Sequence, residues 1–162
     1  MRVYIIARDI QRQDAVGNFC RQIQSFLQAQ GYDVHLAAEN CHPEDRTSVA
    51  DVSRIISRIA PDDLTIFHFS TEDPAFAAIA ARNNPKVLYF HNITPENFFR
   101  GIDPRTARLV RAGLDQRPLA AKFDVLMANS RTTAQVLCEG MDPADRAGIN
   151  DDEVIECPPL ID

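Results

Sequence analysis

The stretch from Val87 to Phe99 reads VLYFHNITPENFF, and it decides the fold expected for this chain. Its first four residues are apolar without polar alternation, which is typical of a parallel strand buried on both faces. Polar residues begin at His91 and Asn92, and a proline-led helix start follows. Ligands of open parallel sheets bind beyond the carboxyl ends of the strands. The sequence therefore predicts that His91 and Asn92 border a binding crevice.

Strand and helix patterns alternate along the rest of the chain. Strands are expected at Val3–Ala7, Asp33–Ala38, Leu64–Phe69, Lys86–Phe90, Phe123–Ala128 and Glu153–Cys157. Helices are expected at Val16–Gln30, Ser48–Ile59, Pro74–Arg82, Pro104–Ala121 and Arg131–Leu137. This alternation predicts an α/β fold, a Rossmann-like doubly wound parallel sheet.

Helix ends are well marked. Four pairs place a capping oxygen before a proline at the first helical position, namely Asp73-Pro74, Thr94-Pro95, Asp103-Pro104 and Asp142-Pro143. Gly31 is expected to close the first helix as a carboxyl cap. Ser130 is placed to cap the helix that begins at Arg131.

The composition disfavours several classes of protein. A net charge of -6 and a pI near 5.2 argue against a general nucleic-acid binder. No apolar run approaches the roughly 20 residues that a membrane span needs, and MRVYIIARD does not read as a secretory signal. The four cysteines form no CxxC pair. These features predict a cytoplasmic protein with reduced thiols.

One region is locally basic. Between Arg100 and Lys122 there are two acids and six bases, which are Arg100, Arg105, Arg108, Arg111, Arg117 and Lys122. One interpretation is a solvated helix face. The other is a patch for an anionic acceptor or for peripheral contact with the inner face of a membrane.

The candidate site residues follow the predicted strand ends. They are Asp14, Gly17, Asn18, His68, His91, Asn92, Asn129, Ser130 and Arg131. His91 ranks first because an imidazole can hydrogen-bond a ligand hydroxyl or phosphate through either nitrogen. Gly17 either lets a ligand approach the backbone or lets the first helix pack on the sheet. His68 either lines the same crevice or is a buried structural histidine.

Other catalytic patterns are missing. The sequence has no GxGxxG, so Glu39 after the second strand is poor evidence for a dehydrogenase or epimerase that binds NAD. It has no GxSxG nucleophile elbow. Cys41, His42 and Glu44 lie in a polar loop without a second ligand pair at zinc spacing, so no metal site is expected.

Several segments together resemble the amino-terminal half of retaining GT-B glycosyltransferases of the family 4, or group 1, type. The matching segments are DAVGN at 14–18, AQGYDV at 29–34, HFS at 68–70, YFHNITP at 89–95 and FDVLMANS at 123–130. HNITP and FDVLMANS are the most specific of these. The resemblance implies two Rossmann-like domains across a cleft, with the acceptor mainly on the first domain and the nucleotide sugar mainly on the second.

On that resemblance, residues 1–157 form the acceptor-side domain and 158–162 begin the connector to a second domain outside this chain. The reaction would move a sugar from a nucleotide-diphosphate donor to a hydroxyl of a glycan or lipid-linked acceptor, with retention and without metal or another cofactor. This chain alone would then be inactive. The alternative is a free-standing Rossmann-like binding or regulatory subunit, completed by a separate carboxyl-terminal chain.

The resemblance also implies roles for the candidate residues. His91 would be the catalytic residue that contacts the transferred sugar, and Gly17 would let backbone amides approach the donor diphosphate. The acceptor side or the cleft floor would be lined by Asp14, Asn18, Asn92, Ser130 and Arg131.

Overall fold

A computed structural model describes residues 1–141, 144 and 151–159. Its strands are β1 (Arg2–Ile10), β2 (Asp33–Cys41), β3 (Val49–Asp51), β4 (Leu64–Phe69), β5 (Lys86–Phe90), β6 (Val125–Ala128) and β7 (Ile155–Glu156). Its α-helices are α1 (Ala15–Ala29), α2 (Val52–Ile56), α3 (Phe76–Ala80), α4 (Pro104–Asp115) and α5 (Arg131–Glu139). Short 3₁₀ turns lie at Pro43–Asp45, Glu96–Phe98, Arg117–Lys122 and Asp151–Glu153.

The seven strands form one parallel sheet in the order β3-β2-β1-β4-β5-β6-β7. The order reverses between β1 and β4, which is the switch point of a doubly wound sheet. The predicted α/β, Rossmann-like fold class is therefore confirmed.

The edge strand β3 was missed by the sequence analysis, which placed a helix over Ser48–Ile59. Val49, the first residue of β3, pairs with Leu36 of β2. The Asp51 side chain accepts a hydrogen bond from the Ser53 backbone N–H (2.8 Å), so Asp51 is the amino-terminal cap of α2. The helix therefore begins only at Val52.

The helix predicted over Pro104–Ala121 is divided. Its start is confirmed, because the Asp103 carboxylate accepts from the backbone N–H groups of Arg105 and Thr106. The α-helix ends at Asp115, and the chain continues as a 3₁₀ turn that contains Pro118. Proline lacks the N–H that an α-helix interior requires, which explains the break.

Two other predicted helix starts differ from expectation. The Asp73 carboxylate accepts from the Ala75 N–H in a turn, and α3 begins only at Phe76. Thr94-Pro95 leads into a single 3₁₀ turn without a side-chain cap. The pair Asp142-Pro143 lies outside the described residues, as do 160–162 of the predicted connector.

The end of α1 follows the prediction. Gly31 has φ +87°, its N–H donates to the Gln28 carbonyl (2.9 Å), and the Tyr32 N–H donates to the Leu27 carbonyl (3.1 Å). These two bonds are the Schellman pattern, in which glycine takes the left-handed conformation just beyond the helix.

The two faces of the sheet carry separate groups of buried side chains. On the face that we call the four-helix face, helices α2 to α5 contribute residues such as Ile55, Phe76, Val110 and Leu137 to one cluster. On the opposite face, the α1 face, Cys20 of α1 packs in a second cluster with residues of β1, β2 and β3. Alternate residues of each strand supply the two faces.

Candidate active site

His68 and His91 are brought together at the carboxyl ends of β4 and β5. The register of the two strands pairs His68 with Tyr89, and His91 lies two residues further on, so all three share the α1 face. Nδ1 of His68 lies 2.8 Å from Nε2 of His91. The two histidines predicted from separate strand ends therefore form one hydrogen-bonded pair.

Two aromatic rings enclose this pair. The Phe19 ring of α1 meets His68 edge-on, with centroids 5.7 Å apart, and meets Tyr89 at 5.0 Å. The Tyr89 ring stacks on His68 at 5.4 Å. We call Phe19, His68, Tyr89 and His91 the aromatic cluster. The sequence analysis missed Phe19 and Tyr89 as site residues, although Tyr89 stands two positions before His91 and alternation along a strand could have indicated it.

Burial sets the charge state of the pair. It lowers the pKa of His91 to about 4. It also lowers the pKa of His68 to well below the ordinary value, with a smaller contribution from His91. Both rings are therefore neutral at pH 7, and each offers one N–H donor and one bare nitrogen acceptor.

The backbone holds His91 firmly at the sheet edge. Its N–H donates to the Phe69 carbonyl (2.9 Å), and its own carbonyl accepts from Nδ2 of Asn129 (3.3 Å). Asn92 follows with φ +76°, and its side-chain oxygen accepts from the Ile93 N–H (2.8 Å). Asparagine tolerates the left-handed region, so Asn92 makes the sharp turn that ends β5.

The residues after β6 have local structural partners. Ser130 caps α5 as predicted, because its hydroxyl accepts from the Thr133 N–H (3.2 Å). The exposed Arg131 guanidinium lies 2.6 Å from the Asp152 carboxylate. Asn129 is thus the member of this segment that bonds directly to the His91 backbone.

The first loop is ordered around the start of α1. The Asp14 carboxylate caps the helix by accepting from the Gly17 N–H (3.0 Å), and the Asn18 N–H donates to the Asp14 carbonyl (2.9 Å). A Cβ on Gly17 would lie 2.6 Å from the Gln11 carbonyl oxygen. The close packing of α1 against this loop is therefore enough to require glycine at position 17. A contact between Gly17 and a ligand stays a prediction.

An arginine occupies the switch point between β1 and β4. Arg8 follows the strand predicted at Val3–Ala7, but it lies within β1 because that strand runs on to Ile10. Its guanidinium pairs with Glu39 of β2 (3.5 Å) and with the Glu72 carboxylate, and it donates to the Glu72 carbonyl. Glu39, which stands where a dinucleotide fold places its ribose-binding acid, is thus an ion-pair partner of Arg8.

Helix α4 clamps the loop after β4. The Gln116 amide accepts from the Asp73 N–H and donates to the Asp73 carbonyl, both at 2.8 Å. A Cβ on Gly113 would lie 2.6 Å from the Glu72 backbone nitrogen. Burial raises the pKa of the Asp73 carboxyl to about 6, with further contributions from Glu39 and Glu72. Sequence reasoning missed Gly113 and Gln116, because their contacts depend on how α4 docks.

Only some of the six bases between Arg100 and Lys122 contribute to an exposed positive surface. Arg117 points inward, where its Nε donates to the Leu114 carbonyl (2.9 Å). Arg100 and Arg111 pair with Glu96. Exposed bases on and beyond α4 include Arg105, Arg108 and Lys122. Two large apolar side chains in the preceding connection are also exposed, Phe98 at 65% and Ile102 at 84%.

The described ranges hold neither a metal-binding cluster nor a membrane-spanning helix. No group of three or more His, Cys, Asp and Glu side chains there could hold a metal ion. Within the described part, Cys20, Cys41, Cys138 and Cys157 form no disulfide. Among the helices of the described part, none is long and apolar enough to cross a bilayer.

The doubly wound sheet, with a histidine pair at its carboxyl edge, defines a Rossmann-like α/β domain of the kind that binds ligands at a strand edge. A family model described as Glycosyltransferase Family 4 matches residues 16–148. The chain belongs to this glycosyltransferase family. Among curated proteins, none matches the chain.

Proposed function

We propose that this domain forms the acceptor side of a two-domain, GT-B-type glycosyltransferase. The enzyme would move a sugar, with retention, from a nucleotide-diphosphate donor to a hydroxyl of a glycan or lipid-linked acceptor. A second Rossmann-like domain, in the same polypeptide or in a partner, would hold most of the donor. The domain alone would then not catalyse transfer, because binding and orientation of the donor would be missing.

The position and the neutral ring of His91 support this proposal most strongly. It stands at the carboxyl end of a central strand, where sheets of this class bind ligands, and its backbone is fixed by Phe69 and Asn129. Its ring is neutral because burial lowers its pKa to about 4. A neutral ring can donate a hydrogen bond to a sugar hydroxyl without carrying a charge that would compete for the donor phosphates.

The remaining candidates would surround the substrates. Asp14, Asn18, Asn92, Ser130 and Arg131 would line the acceptor side or the cleft floor, and Gly17 would lie near the donor diphosphate. Catalysis would come from orientation of both substrates and from stabilisation of the departing diphosphate, without a metal or another cofactor.

The test starts from the native polypeptide, isolated from its source cells with an antibody to this chain. Release of nucleoside diphosphate from UDP-glucose, UDP-N-acetylglucosamine and GDP-mannose is measured with and without a lipid extract as acceptor. The same polypeptide is then produced with His91→Ala and, as a matched control, His35→Ala. His35 is also a half-buried strand histidine, but it stacks on Tyr4 at 5.4 Å in the other half of the sheet.

We expect His91→Ala to lower kcat by roughly 10- to 100-fold with little change in the free energy of unfolding, because it removes a hydrogen bond made in the transition state. His35→Ala should leave kcat unchanged. Unchanged turnover in His91→Ala would overturn the catalytic assignment. A native polypeptide of only 18.1 kDa that releases no diphosphate would favour the binding-subunit alternative.

We also propose that α4 and the connection before it make peripheral contact with the anionic inner face of a membrane. Exposed Arg105 and Arg108 would attract anionic headgroups, and exposed Phe98 and Ile102 would enter the interface beside them. The protein should sediment together with vesicles that contain phosphatidylglycerol. It should stay in the supernatant with vesicles of phosphatidylcholine alone. Unaltered binding of the double variant Arg105→Glu, Arg108→Glu would contradict this contact.

A further inference from the structure

His68 and His91 differ in which of their ring nitrogens have hydrogen-bond partners. His68 is 1% exposed, and its Nε2 finds no hydrogen-bond partner in the described part of the chain. Its Nδ1 contacts Nε2 of His91 at 2.8 Å. His91 is half-buried, and the hydrogen bonds found for its ring involve Nε2. Its Nδ1 is therefore the nitrogen left for a ligand.

Only two arrangements of protons fit two neutral rings joined at these atoms. If Nε2 of His91 donates, then His68 must carry its own proton on Nε2, where a buried N–H would have no acceptor. If Nδ1 of His68 donates, the orphaned atom is a bare nitrogen instead. Among buried backbone groups, orphaned N–H donors are rarer than under-satisfied carbonyl acceptors. We apply the same order to the imidazole nitrogens, which favours the second arrangement.

We infer that His68 is a positioning residue that fixes His91 in the tautomer with its proton on Nδ1. His68 donates from Nδ1 to Nε2 of His91, and the N–H of His91 then faces the ligand crevice as a hydrogen-bond donor. The stacked Tyr89 ring and the edge of Phe19 hold His68 in place for this purpose. The inference rests on the proposed function only for the identity of the ligand, a sugar hydroxyl.

The primary test measures the ring nitrogens of the unsubstituted chain directly, so it does not depend on enzyme activity. Long-range ¹H–¹⁵N correlation spectra of the ¹⁵N-labelled chain at pH 7 distinguish a protonated from a bare nitrogen in each of the four histidine rings. His91 is assigned as the ring that disappears in His91→Asn. A protonated Nδ1 and a bare Nε2 on His91 support the inference. A protonated Nε2 on His91 overturns it.

Two substitutions of His68 then separate positioning from packing. In His68→Asn the side-chain amide can still donate from about the position of Nδ1, whereas in His68→Phe a ring remains but the donor is lost. We expect His91 to keep its tautomer in His68→Asn and to become a mixture of both tautomers in His68→Phe. Both variants giving the same His91 spectrum as the parent chain would contradict the role of His68.

Kinetics on the native polypeptide that carries this domain complete the experiment. We expect His68→Phe to lower kcat roughly tenfold, the value of about one hydrogen bond, and His68→Asn to restore most of it. A purely structural role would lower both variants together with their stability. If His91→Ala keeps full activity while the tautomer is as inferred, the proposed function fails and the positioning of the His91 ring by His68 stands.

Discussion

The two faces of the sheet are built from the same strands but differ in their cover. Strand β5 sends Leu88 and Phe90 to the four-helix face, where both are completely buried. It sends Tyr89 to the α1 face, and His91 extends the same side of the sheet. On the α1 face Val125 of β6 and Ile155 of β7 are 36% and 51% exposed. One strand thus supplies packing to one side and polar chemistry to the other.

This difference teaches that, around β5, the densest apolar packing and the candidate site lie on opposite faces of the sheet. The phenylalanine rings of the four-helix face interlock, with Phe76 centred 4.8 Å from Phe67 and 4.6 Å from Phe69. The rings of the α1 face include two imidazoles and a phenol, which carry hydrogen-bonding atoms. Truncation of a buried ring on the four-helix face should therefore cost the most stability, and substitutions in the aromatic cluster should cost less.

The largest effect is expected on the four-helix face. Phe76→Ala should lower the free energy of unfolding by about 3 to 5 kcal/mol, because it opens a cavity among rings that are fully buried. Urea denaturation measures this loss. Phe98→Ala is the matched control, since Phe98 is 65% exposed, and it should stay within about 0.5 kcal/mol of the parent. Equal losses in the two variants would break the comparison.

A pH-dependent effect of similar size is expected on the α1 face. The pKa of His91 is about 4 in the folded chain and about 6.5 when unfolded, so the unfolded state binds more protons in between. The contribution of neutral His91 to the free energy of unfolding is therefore fully present above about pH 6.5. It is lost as pH falls toward 4, which lowers the free energy of unfolding by on the order of 3 kcal/mol.

The variant His91→Asn cannot titrate at this position. Its free energy of unfolding, measured by urea denaturation from pH 7 to pH 4.5, should fall less steeply than that of the parent chain. A decline as steep as the parental one would show that acid sensitivity does not originate at His91.

A smaller effect is expected where the α1 face is tied to the last strand. The Tyr89 hydroxyl donates to the Cys157 carbonyl just beyond β7, and burial raises the pKa of this phenol to about 12, so it keeps its proton at pH 7. Tyr89→Phe should lower the free energy of unfolding by about 1 kcal/mol. Tyr32→Phe, at a 43% exposed position, is the control that should change nothing in the same denaturation assay.

The smallest effect is expected on the exposed part of the α1 face. Ile155→Thr should change the free energy of unfolding by less than about 0.5 kcal/mol, because the side chain is half exposed. Ile79→Thr, fully buried on the four-helix face, should cost about 2 kcal/mol or more in the same assay. A large cost for Ile155→Thr would mean that this region is as well packed as the opposite face.

The sequence predicted most of the fold because its signals are local. The unbroken apolar run Val87–Phe90 lies in β5, and the Asp103-Pro104 pair marks the start of α4. Short elements carried too little signal, as Val49–Asp51 shows: three residues cannot establish a strand period, and its pairing with β2 is a long-range contact. Pro118 was read as part of a helix although it ends one.

The candidate site was predictable in its members but not in its geometry. His68 and His91 were recognised because both stand near strand ends. Their direct contact depends on the register of β4 against β5. This register pairs His68 with Tyr89, and His91 lies two residues beyond Tyr89 on the same face. Gly113 and Gln116 could not be recognised, since neither belongs to a local pattern and both act on the loop after β4 only once α4 has docked.

The contact at Gly113 has a consequence for how the chain tolerates change in length. Because α4 touches the backbone of Thr71 and Glu72 with no room for a side chain, a residue inserted into the loop after β4 would push the helix off the sheet. Gly101, between the exposed side chains of Phe98 and Ile102, has open space where a Cβ would stand. Insertions and fused peptides are expected to be accepted there, which makes that connection the natural place to attach a reporter.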